Sequence, residues 1–161
     1  MIYYLAQGYS FHPDLAIMQA QDWTQQLLTK GFPVYSPIMH THYYDCRFHD
    51  GTDYLGWDLQ LLEAMCLPVI NNEIYGVFMN TQWDIVKYQY QPNVTLLFAP
   101  TCFSLCNPDE CLNASRPLVI IEGKRYHWMS GGAQREYEFA KEHHIRCLLL
   151  EPFLGGTEID I

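Results

Sequence analysis

The chain has 161 residues, of which 49% are hydrophobic and 15% aromatic, and its nine basic and eighteen acidic side chains give a formal net charge of −9. This composition is typical of one folded domain and excludes a disordered chain. The acidic excess argues against binding to a nucleic acid polymer, because such a surface needs lysine and arginine to displace counterions. A single nucleotide, held by backbone amides and a few side chains, remains allowed.

The sequence has no stretch approaching the ~18 apolar residues of a membrane span, and no charged segment precedes an apolar one at its start. We therefore expect a soluble, cytoplasmic protein that does not bind membranes.

Six cysteines are present, but the chain is large for a disulfide scaffold, so we expect free thiols, several of them buried. The spacing of Cys102, Cys106 and Cys111 does not match the Cys-x-x-Cys pattern of zinc sites. We expect no metal and no other cofactor.

The start of the chain predicts a strand, a helix and a second strand. Residues 2–6 are mostly apolar and lead into a loop. Apolar residues at helical spacing predict a helix from about Asp14 to Lys30, and Gly31 is a typical helix stop. A short strand follows at 33–37. This order is the βαβ unit that opens a parallel sheet, with a right-handed crossover.

Two histidines follow the second strand, in the segment 38–45. His40 and His42 could share a face, but no third ligand accompanies them at a recognisable spacing. A role in contacting substrate or in ordering the segment is therefore favoured over a metal site.

Residues 53–65 predict the next helix, with Asp58 on the same side as several apolar residues.

The middle of the chain shows the least regular pattern. Residues 73–79 and 93–98 predict strands, and 83–88 predict a short helix. Near the end of the chain, 145–150 predict the last strand, and 151–161 form an acidic tail that contains glycine.

A glycine-rich segment between these parts predicts the start of another helix. An apolar run rich in β-branched residues, 117–123, predicts a buried strand upstream of it. Ser130 is a good N-cap, and Ala133, Glu136 and Ala140 fall on one helix face, which should look at the sheet and a pocket. Free amides and the helix dipole favour an anion at the helix start and should help to keep Glu136 ionised. On these residues alone, Ser130 could merely cap the helix and Glu136 could lie on a solvated face.

Two motifs in the chain resemble a known family. Ser-x-Gly-Ala-x-x-Glu, beginning at Ser130 after an apolar strand, and Tyr-Leu-Ala-x-Gly-Tyr, beginning at Tyr4, are similar to motifs of the nucleoside 2-deoxyribosyltransferase-like superfamily. That superfamily includes the deoxynucleoside-monophosphate N-glycosidases and small bacterial and phage proteins. The resemblance covers residues 1–62 and 117–150 and is weak between them.

The resemblance implies an α/β fold with an open, mostly parallel, Rossmann-like (flavodoxin-like) sheet and helices on both faces. Residues 1–161 would form a single domain with an insertion at about 68–116. In the superfamily, chain-terminal residues or residues of a neighbouring subunit often complete the pocket. A homo-oligomer is therefore one of the expectations that the resemblance raises.

The resemblance also implies roles for two carboxylates and a strand tyrosine. Glu136 would be the nucleophile, and the hydroxyl of Tyr4 would hold it in position. An aspartate near the start of a helix contacts the substrate or protonates the leaving base, and we favour Asp58 for this position. Asp109 is the rival, because its separation from Ser130 is closer to the usual spacing of the family. Tyr4 could alternatively be a packing aromatic, the commoner role of a tyrosine near a sheet.

A substrate pocket is implied by the same resemblance. The first loop of the chain matches the family closely, and Tyr9 falls near an aromatic that lines the base pocket. His42 belongs to a Ser-Pro…His segment that the resembling proteins tend to share. The expected substrate contacts are Gln7, Gly8, Tyr9, His42, Asp109, Ser130, Gly131 and Gly132.

The residue at position 130 separates two subclasses of the family. Transferases have an aspartate there, whereas the hydrolases that act on monophosphates have a serine, which accepts a 5′-phosphate that a carboxylate would repel. We therefore expect hydrolysis of the N-glycosidic bond of a (deoxy)nucleoside 5′-monophosphate through a carboxylate nucleophile, with release of free base. The partner would be a small-molecule nucleotide or nucleoside. The alternatives are a deoxyribosyltransferase, a non-catalytic nucleotide-binding protein and a structural metal protein.

Overall fold

The computed structural model describes residues 1–9, 12–42, 53–66, 93–107 and 118–161. In chain order, its elements are β1 (Ile2–Ala6), α1 (Pro13–Thr29), β2 (Val34–Tyr35), a π-helical turn (Ile38–His42), α2 (Tyr54–Cys66), β3 (Val94–Phe98), a 3-10 turn (Pro100–Cys102), β4 (Phe103–Leu105), β5 (Leu118–Ile121), β6 (Lys124–Trp128), α3 (Gly131–Glu142), β7 (Arg146–Leu149) and α4 (Leu150–Leu154). The predicted strand, helix and strand at the start of the chain are confirmed, as are the helix at 53–65 and the last strand.

Four of the strands form a parallel sheet, sheet A, in the order β2-β1-β3-β7. Tyr4 of β1 pairs with Tyr35 on one side and Leu96 on the other. All five residues of β3 are buried, as expected for a central parallel strand with apolar side chains on both faces. The prediction of an α/β fold with a parallel sheet is therefore confirmed.

The central strand β3 lies inside the range 68–116 for which an insertion is expected. Because β3 pairs with β1 and β7, this strand belongs to sheet A and not to an inserted segment. The strand predicted at 73–79 and the helix predicted at 83–88 lie outside the described residues. An insertion in this range would therefore have to exclude β3.

A second sheet, sheet B, is antiparallel and has the strand order β4-β6-β5. The apolar run at 117–123 was expected to be a buried strand upstream of the helix, and it does contain the strand β5, but the expectation that this strand is buried is wrong. Its side chains alternate between exposed and buried, and a turn at Glu122 and Gly123 returns the chain as β6 before α3 begins. Both turn residues have positive φ angles, 49° and 76°, which suit a tight hairpin turn.

An aromatic cluster joins the two sheets. Phe98 of sheet A contacts Phe103 and Trp128 of sheet B, with ring centroids 6.1 and 5.8 Å apart. Tyr137 of α3 packs against Phe98 and Trp128 at 5.9 and 5.2 Å. Burial of these large rings fixes sheet B and the start of α3 against the carboxyl end of β3.

Elements pack on both faces of sheet A. Neighbouring residues of a strand point to opposite faces, so the side chains of Tyr3 and Tyr4 lie on different faces of sheet A. The ring of Tyr3 contacts Phe32, which follows α1, and Phe153 of α4. Tyr4 is directed to the other face, where it reaches Glu136 of α3.

The acidic tail pairs with the edge of sheet A. Asp160 forms an antiparallel bridge with Leu148, and Arg146 makes ion pairs of 2.8 Å with Glu158 and 2.7 Å with Asp160. The sequence pattern indicated only a tail, whereas the structure shows that it covers β7.

The cysteines only partly match the expectation of free thiols. Cys102 and Cys147 are free and buried, as expected. Cys106 is disulfide-bonded, so the expectation is wrong for this residue. Among the described helices, none is long and apolar enough to cross a membrane.

Candidate active site

The candidate site lies at the carboxyl ends of β1 and β3. The chain places β2 on one side of β1 and β3 on the other, and open α/β sheets bind ligands where the strand order reverses in this way. The amide of Gly8, just after β1, donates to Thr101 Oγ1 of the turn after β3, at 3.2 Å. A Cβ atom on Gly8 would lie 2.7 Å from the carbonyl oxygen of Thr101, so the close approach of the two loops requires glycine here.

Tyr4 and Glu136 meet directly in this region. The Tyr4 hydroxyl donates to Glu136 Oε1 at 2.7 Å, and both residues are buried, with 0% and 5% of their surfaces exposed. Glu136 lies on the face of α3 that also buries Ala133 and Ala140. The alternative of a solvated Glu136 is therefore wrong, and the predicted buried face is confirmed.

A second carboxylate lies close to this pair. Asp58 of α2 is fully buried, and the hydroxyl of Tyr35 donates to its Oδ1 at 3.2 Å. Its charge acts on both Tyr4 and Glu136. The structure thus brings Asp58 to the cluster, while its rival Asp109 lies outside the described residues.

Tyr35 is a residue of the site that was not predicted from the sequence. Its ring packs against that of Tyr4, with centroids 5.6 Å apart, because the two residues are partners in neighbouring parallel strands. The predicted βαβ unit could have indicated Tyr35, because its two parallel strands lie side by side and bring the end of the second strand next to the first.

The environment of Glu136 makes its carboxyl group a weak acid. The pKa of Glu136 is raised to about 8 as the net result of three causes: burial, the largest, raises it, the hydrogen bond from Tyr4 lowers it, and the charge of Asp58 raises it. The expectation that the helix start would keep Glu136 ionised is therefore wrong. Glu136 is the sixth residue of α3, and the field of the helix dipole falls off within the first turn, so desolvation outweighs it.

Other titratable groups around Glu136 are held in their neutral forms. Burial, with the nearby charge of Glu136, raises the pKa of Tyr4 well above its ordinary value. Burial and Glu136 likewise raise the pKa of the Cys102 thiol, whose Sγ lies 3.4 Å from the Ala6 carbonyl oxygen. A thiol that stays protonated is a poor nucleophile, so Cys102 is best understood as a packing residue of the site.

The start of α3 has the features of an anion-binding helix terminus. Ser130 is buried, and its Oγ accepts a hydrogen bond of 3.2 Å from the amide of Ala133, which confirms the predicted N-cap. A Cβ on Gly131 would meet no atom within 4 Å, and one on Gly132 would meet only Ser130 Oγ at 3.7 Å and Leu55 at 3.9 Å. The backbone of the two glycines is therefore open to a close approach by a ligand.

The first loop borders a cavity beside this helix start. Gly8, Tyr9 and Met129 are among the residues that line it, and its volume is about 340 Å³. Gly8 also lies next to Ser130, since a Cβ on the glycine would be 3.6 Å from the Ser130 Cβ. The cavity is of the size that small-molecule sites have. Ser130 and the two glycines are not among its lining residues, so Gly8 and Met129 are the residues that connect it to the helix start.

Gln7 is a buried amide whose hydrogen bonding is incomplete. Its Nε2 donates to the Ala16 carbonyl oxygen at 2.8 Å, but its Oε1 has no partner in the part of the chain that the structure describes. A buried acceptor without a donor can accept from a ligand.

The remaining predicted site residue is His42. It ends the π-helical turn, and its side chain lies outside the described part of the structure. Within the described ranges, no group of three or more His, Cys, Asp or Glu side chains could hold a metal ion.

No family model, curated protein or solved structure matches the chain. The interpretation of the cluster therefore depends on the geometry of Tyr4, Tyr35, Asp58 and Glu136 and on the resemblance of the sequence motifs.

Proposed function

We propose that the protein is an N-glycosidase that hydrolyses (deoxy)nucleoside 5′-monophosphates and that it belongs to the nucleoside 2-deoxyribosyltransferase-like superfamily. The observation that best supports this proposal is the buried hydrogen bond from Tyr4 to Glu136, with Asp58 beside it. A glycosidase needs one carboxylate beneath the anomeric carbon and a proton donor for the leaving group. This cluster contains both kinds of group in one water-poor site.

The topology of sheet A supports the finer assignment of a Rossmann-like, flavodoxin-like fold. Counted along the chain, the strands of the sheet follow the order 2-1-3-4, which is the start of the flavodoxin-like order. The candidate site lies at the switch point between its first and third strands, where this fold places its ligands.

In the first chemical step, the Glu136 carboxylate attacks the anomeric carbon as the bond to the base nitrogen breaks. The reactive form of this pair has its proton on Asp58 and its charge on Glu136, whereas before substrate binds the raised pKa of Glu136 favours the proton on Glu136. Asp58 then gives its proton to the departing nitrogen, so free base leaves and a glycosyl ester on Glu136 remains. Tyr4 keeps its own proton, because its pKa is raised by burial, and its hydroxyl orients the carboxylate for attack.

In the second step, water attacks the anomeric carbon and the ester bond to Glu136 breaks. The proton of the water returns to Asp58, which restores both carboxyl groups to their starting forms. The net reaction consumes one water and yields free base and a sugar 5-phosphate. No redox step is needed.

The 5′-phosphate would bind at the start of α3. The amides of Gly131 and Gly132 and the hydroxyl of Ser130 supply donors, and the helix terminus supplies a positive field. With a net charge of −9, the protein has no general attraction for anions, so such local donors are required.

A deoxyribosyltransferase is the second candidate, favoured by the burial of the cluster. Because Glu136 is only 5% exposed and Asp58 is fully buried, water has limited access to a glycosyl ester on Glu136. A free base bound in the site could then react in place of water.

The test is chromatographic detection of free base from deoxy- and ribonucleoside 5′-monophosphates and from the unphosphorylated nucleosides, with and without an added acceptor base. Glu136→Gln is compared with Glu138→Gln, which changes an exposed carboxylate of the same helix. We expect release from monophosphates, loss of release in Glu136→Gln and full activity in Glu138→Gln. Base exchange without net hydrolysis would favour the transferase. Release that persists in Glu136→Gln would refute both reactions as written.

A further inference from the structure

We infer that Tyr35 is a positioning residue for the proton donor Asp58, a conclusion that rests on the proposed glycosidase function. The hydroxyl of Tyr35 would hold the Asp58 carboxyl group and stabilise the negative charge that develops there as the proton moves to the base. This assigns one tyrosine to each carboxylate of the site: Tyr4 to the nucleophile Glu136 and Tyr35 to the acid.

The geometry places the two tyrosines side by side. Tyr4 and Tyr35 are partners in the register of β1 and β2, so their side chains leave the same face of the sheet. Their rings pack at 5.6 Å, and their hydroxyls reach different carboxylates, at 2.7 Å for Glu136 and 3.2 Å for Asp58.

The contact matters because Asp58 is fully buried. A carboxyl group that loses a proton in a low-dielectric site becomes a desolvated anion, which is costly unless a donor already points at it. The Tyr35 hydroxyl is such a donor. One oxygen of Asp58 is engaged by Tyr35, which also fixes the plane of the carboxyl group and thus the direction in which the proton is delivered.

The groups around Tyr35 favour this donor role. Burial, followed by the charge and hydrogen bond of Asp58 and the charge of Glu136, holds the pKa of Tyr35 well above its ordinary range, so its proton stays on the phenol. On its other side, Tyr35 makes an edge contact of 5.6 Å with the ring of His40. Among the residues that the structure describes, the titratable side chains that face it are Tyr4, Asp58, Glu136 and His40.

A comparison of two leaving groups separates this role from mere packing. A nucleotide with a neutral base needs the proton from Asp58, whereas an N7-methylated purine nucleotide already has a cationic base and leaves without one. Tyr35→Phe removes the hydroxyl and keeps the ring. Tyr3→Phe is the matched control, since Tyr3 lies on the neighbouring strand but packs against Phe32 and Phe153 on the opposite face.

For the neutral-base substrate, we expect Tyr35→Phe to lower kcat by about 10- to 100-fold with KM changed less than about threefold, as for impaired general acid catalysis. With the N7-methylated substrate, the same variant should lose less than about threefold, since no proton transfer is required. Tyr3→Phe should change neither rate. Equal slowing of both substrates, or no slowing of either, would overturn the inference.

A second measurement tests the contact even if no substrate releases base, an outcome that would refute the proposed function. The ¹³Cζ chemical shift of Tyr35, which responds to the hydrogen bond that the phenol donates, is compared at neutral pH in the wild-type protein and in Asp58→Asn. Because the Tyr35 hydroxyl donates to Asp58 Oδ1, we expect the shift to change in the variant. An unchanged shift would show that the hydroxyl does not act on Asp58 and would overturn the inference by itself.

Discussion

The hydroxyl of Tyr4 donates a 2.7 Å hydrogen bond to Glu136, although the two residues are 132 positions apart in the chain. The bond lies between the first strand and a helix near the end of the sequence, so it forms only when sheet A and α3 are both in place. It also lowers the pKa of a carboxyl group that burial would otherwise raise further. Activity, pH dependence and stability should therefore all respond to this one contact.

The rate of base release should depend on the ionisation of Glu136. The nucleophile must be a carboxylate, and its pKa is raised to about 8, so kcat/KM for the N7-methylated substrate, which needs no proton from Asp58, should rise with pH until it levels off near pH 8. Tyr4→Phe removes the hydrogen bond that lowers this pKa, and the rising limb should then move to higher pH, with kcat about 10-fold or more lower. The measurement is a pH profile of base release for both proteins. A plateau that already begins near pH 5 in the wild type would contradict the prediction.

The same pKa shift predicts that Glu136 destabilises the fold at neutral pH. In the unfolded chain Glu136 ionises near its ordinary pKa of 4.5, but in the folded protein it ionises near 8, so stability is lost as pH rises between these values. The loss is about 1.4 kcal/mol per pH unit. Glu136→Gln, which keeps an acceptor for Tyr4, lacks this dependence and should be increasingly more stable than the wild type from pH 5 to pH 8.

Urea unfolding of the wild type, Glu136→Gln and the exposed control Glu138→Gln at several pH values measures this difference. Other groups contribute equally to the proteins being compared, so the change in the difference with pH isolates Glu136. A difference between wild type and Glu136→Gln that stays constant with pH would mean that Glu136 is not desolvated in the folded protein.

The sequence predicted those features of the site that depend on residues close together in the chain, and it missed those that depend on contacts between distant elements. The helix face of Ala133, Glu136 and Ala140 was predicted correctly, because residues three, four and seven apart on a helix share a face whatever surrounds them. That Glu136 is desolvated could not be inferred in this way. Its burial depends on Asp58 of another helix and on Tyr4 of the first strand.

The error at 117–123 has a different origin. A short apolar run is compatible with a buried parallel strand and with one strand of a hairpin, and periodicity alone does not separate them. The sign of the hairpin was the turn at Glu122 and Gly123, followed by a second segment with strand character. Similarly, only the pairing of β3 with β1 and β7 shows that 94–98 belong to sheet A.

The contact between the loops after β1 and β3 predicts a severe effect of Gly8→Ala. The new methyl group would lie 2.7 Å from the backbone carbonyl oxygen of Thr101, which cannot move aside as a side-chain tip can. We expect a loss of about 1–3 kcal/mol of stability, together with weaker substrate binding as the loops separate. Gly131→Ala is the control, since its methyl group would meet no atom within 4 Å and alanine favours a helix. Equal stability of the two variants in thermal unfolding would show that the loops are not in close contact.

The role of the α3 start in binding phosphate can be tested by a change that preserves the helix cap. Aspartate is as good an N-cap as serine, so Ser130→Asp should retain the hydrogen bond from the Ala133 amide and fold normally. Its carboxylate would repel a 5′-phosphate at the same amides, so KM for nucleoside monophosphates should rise by about 10-fold or more, whereas unphosphorylated nucleosides should be bound no less well. Steady-state kinetics on matched pairs of a nucleotide and its nucleoside measure the change in preference. If Ser130→Asp keeps the same preference as the wild type, the phosphate does not lie at this helix start, and the substrate would have to bind in another orientation.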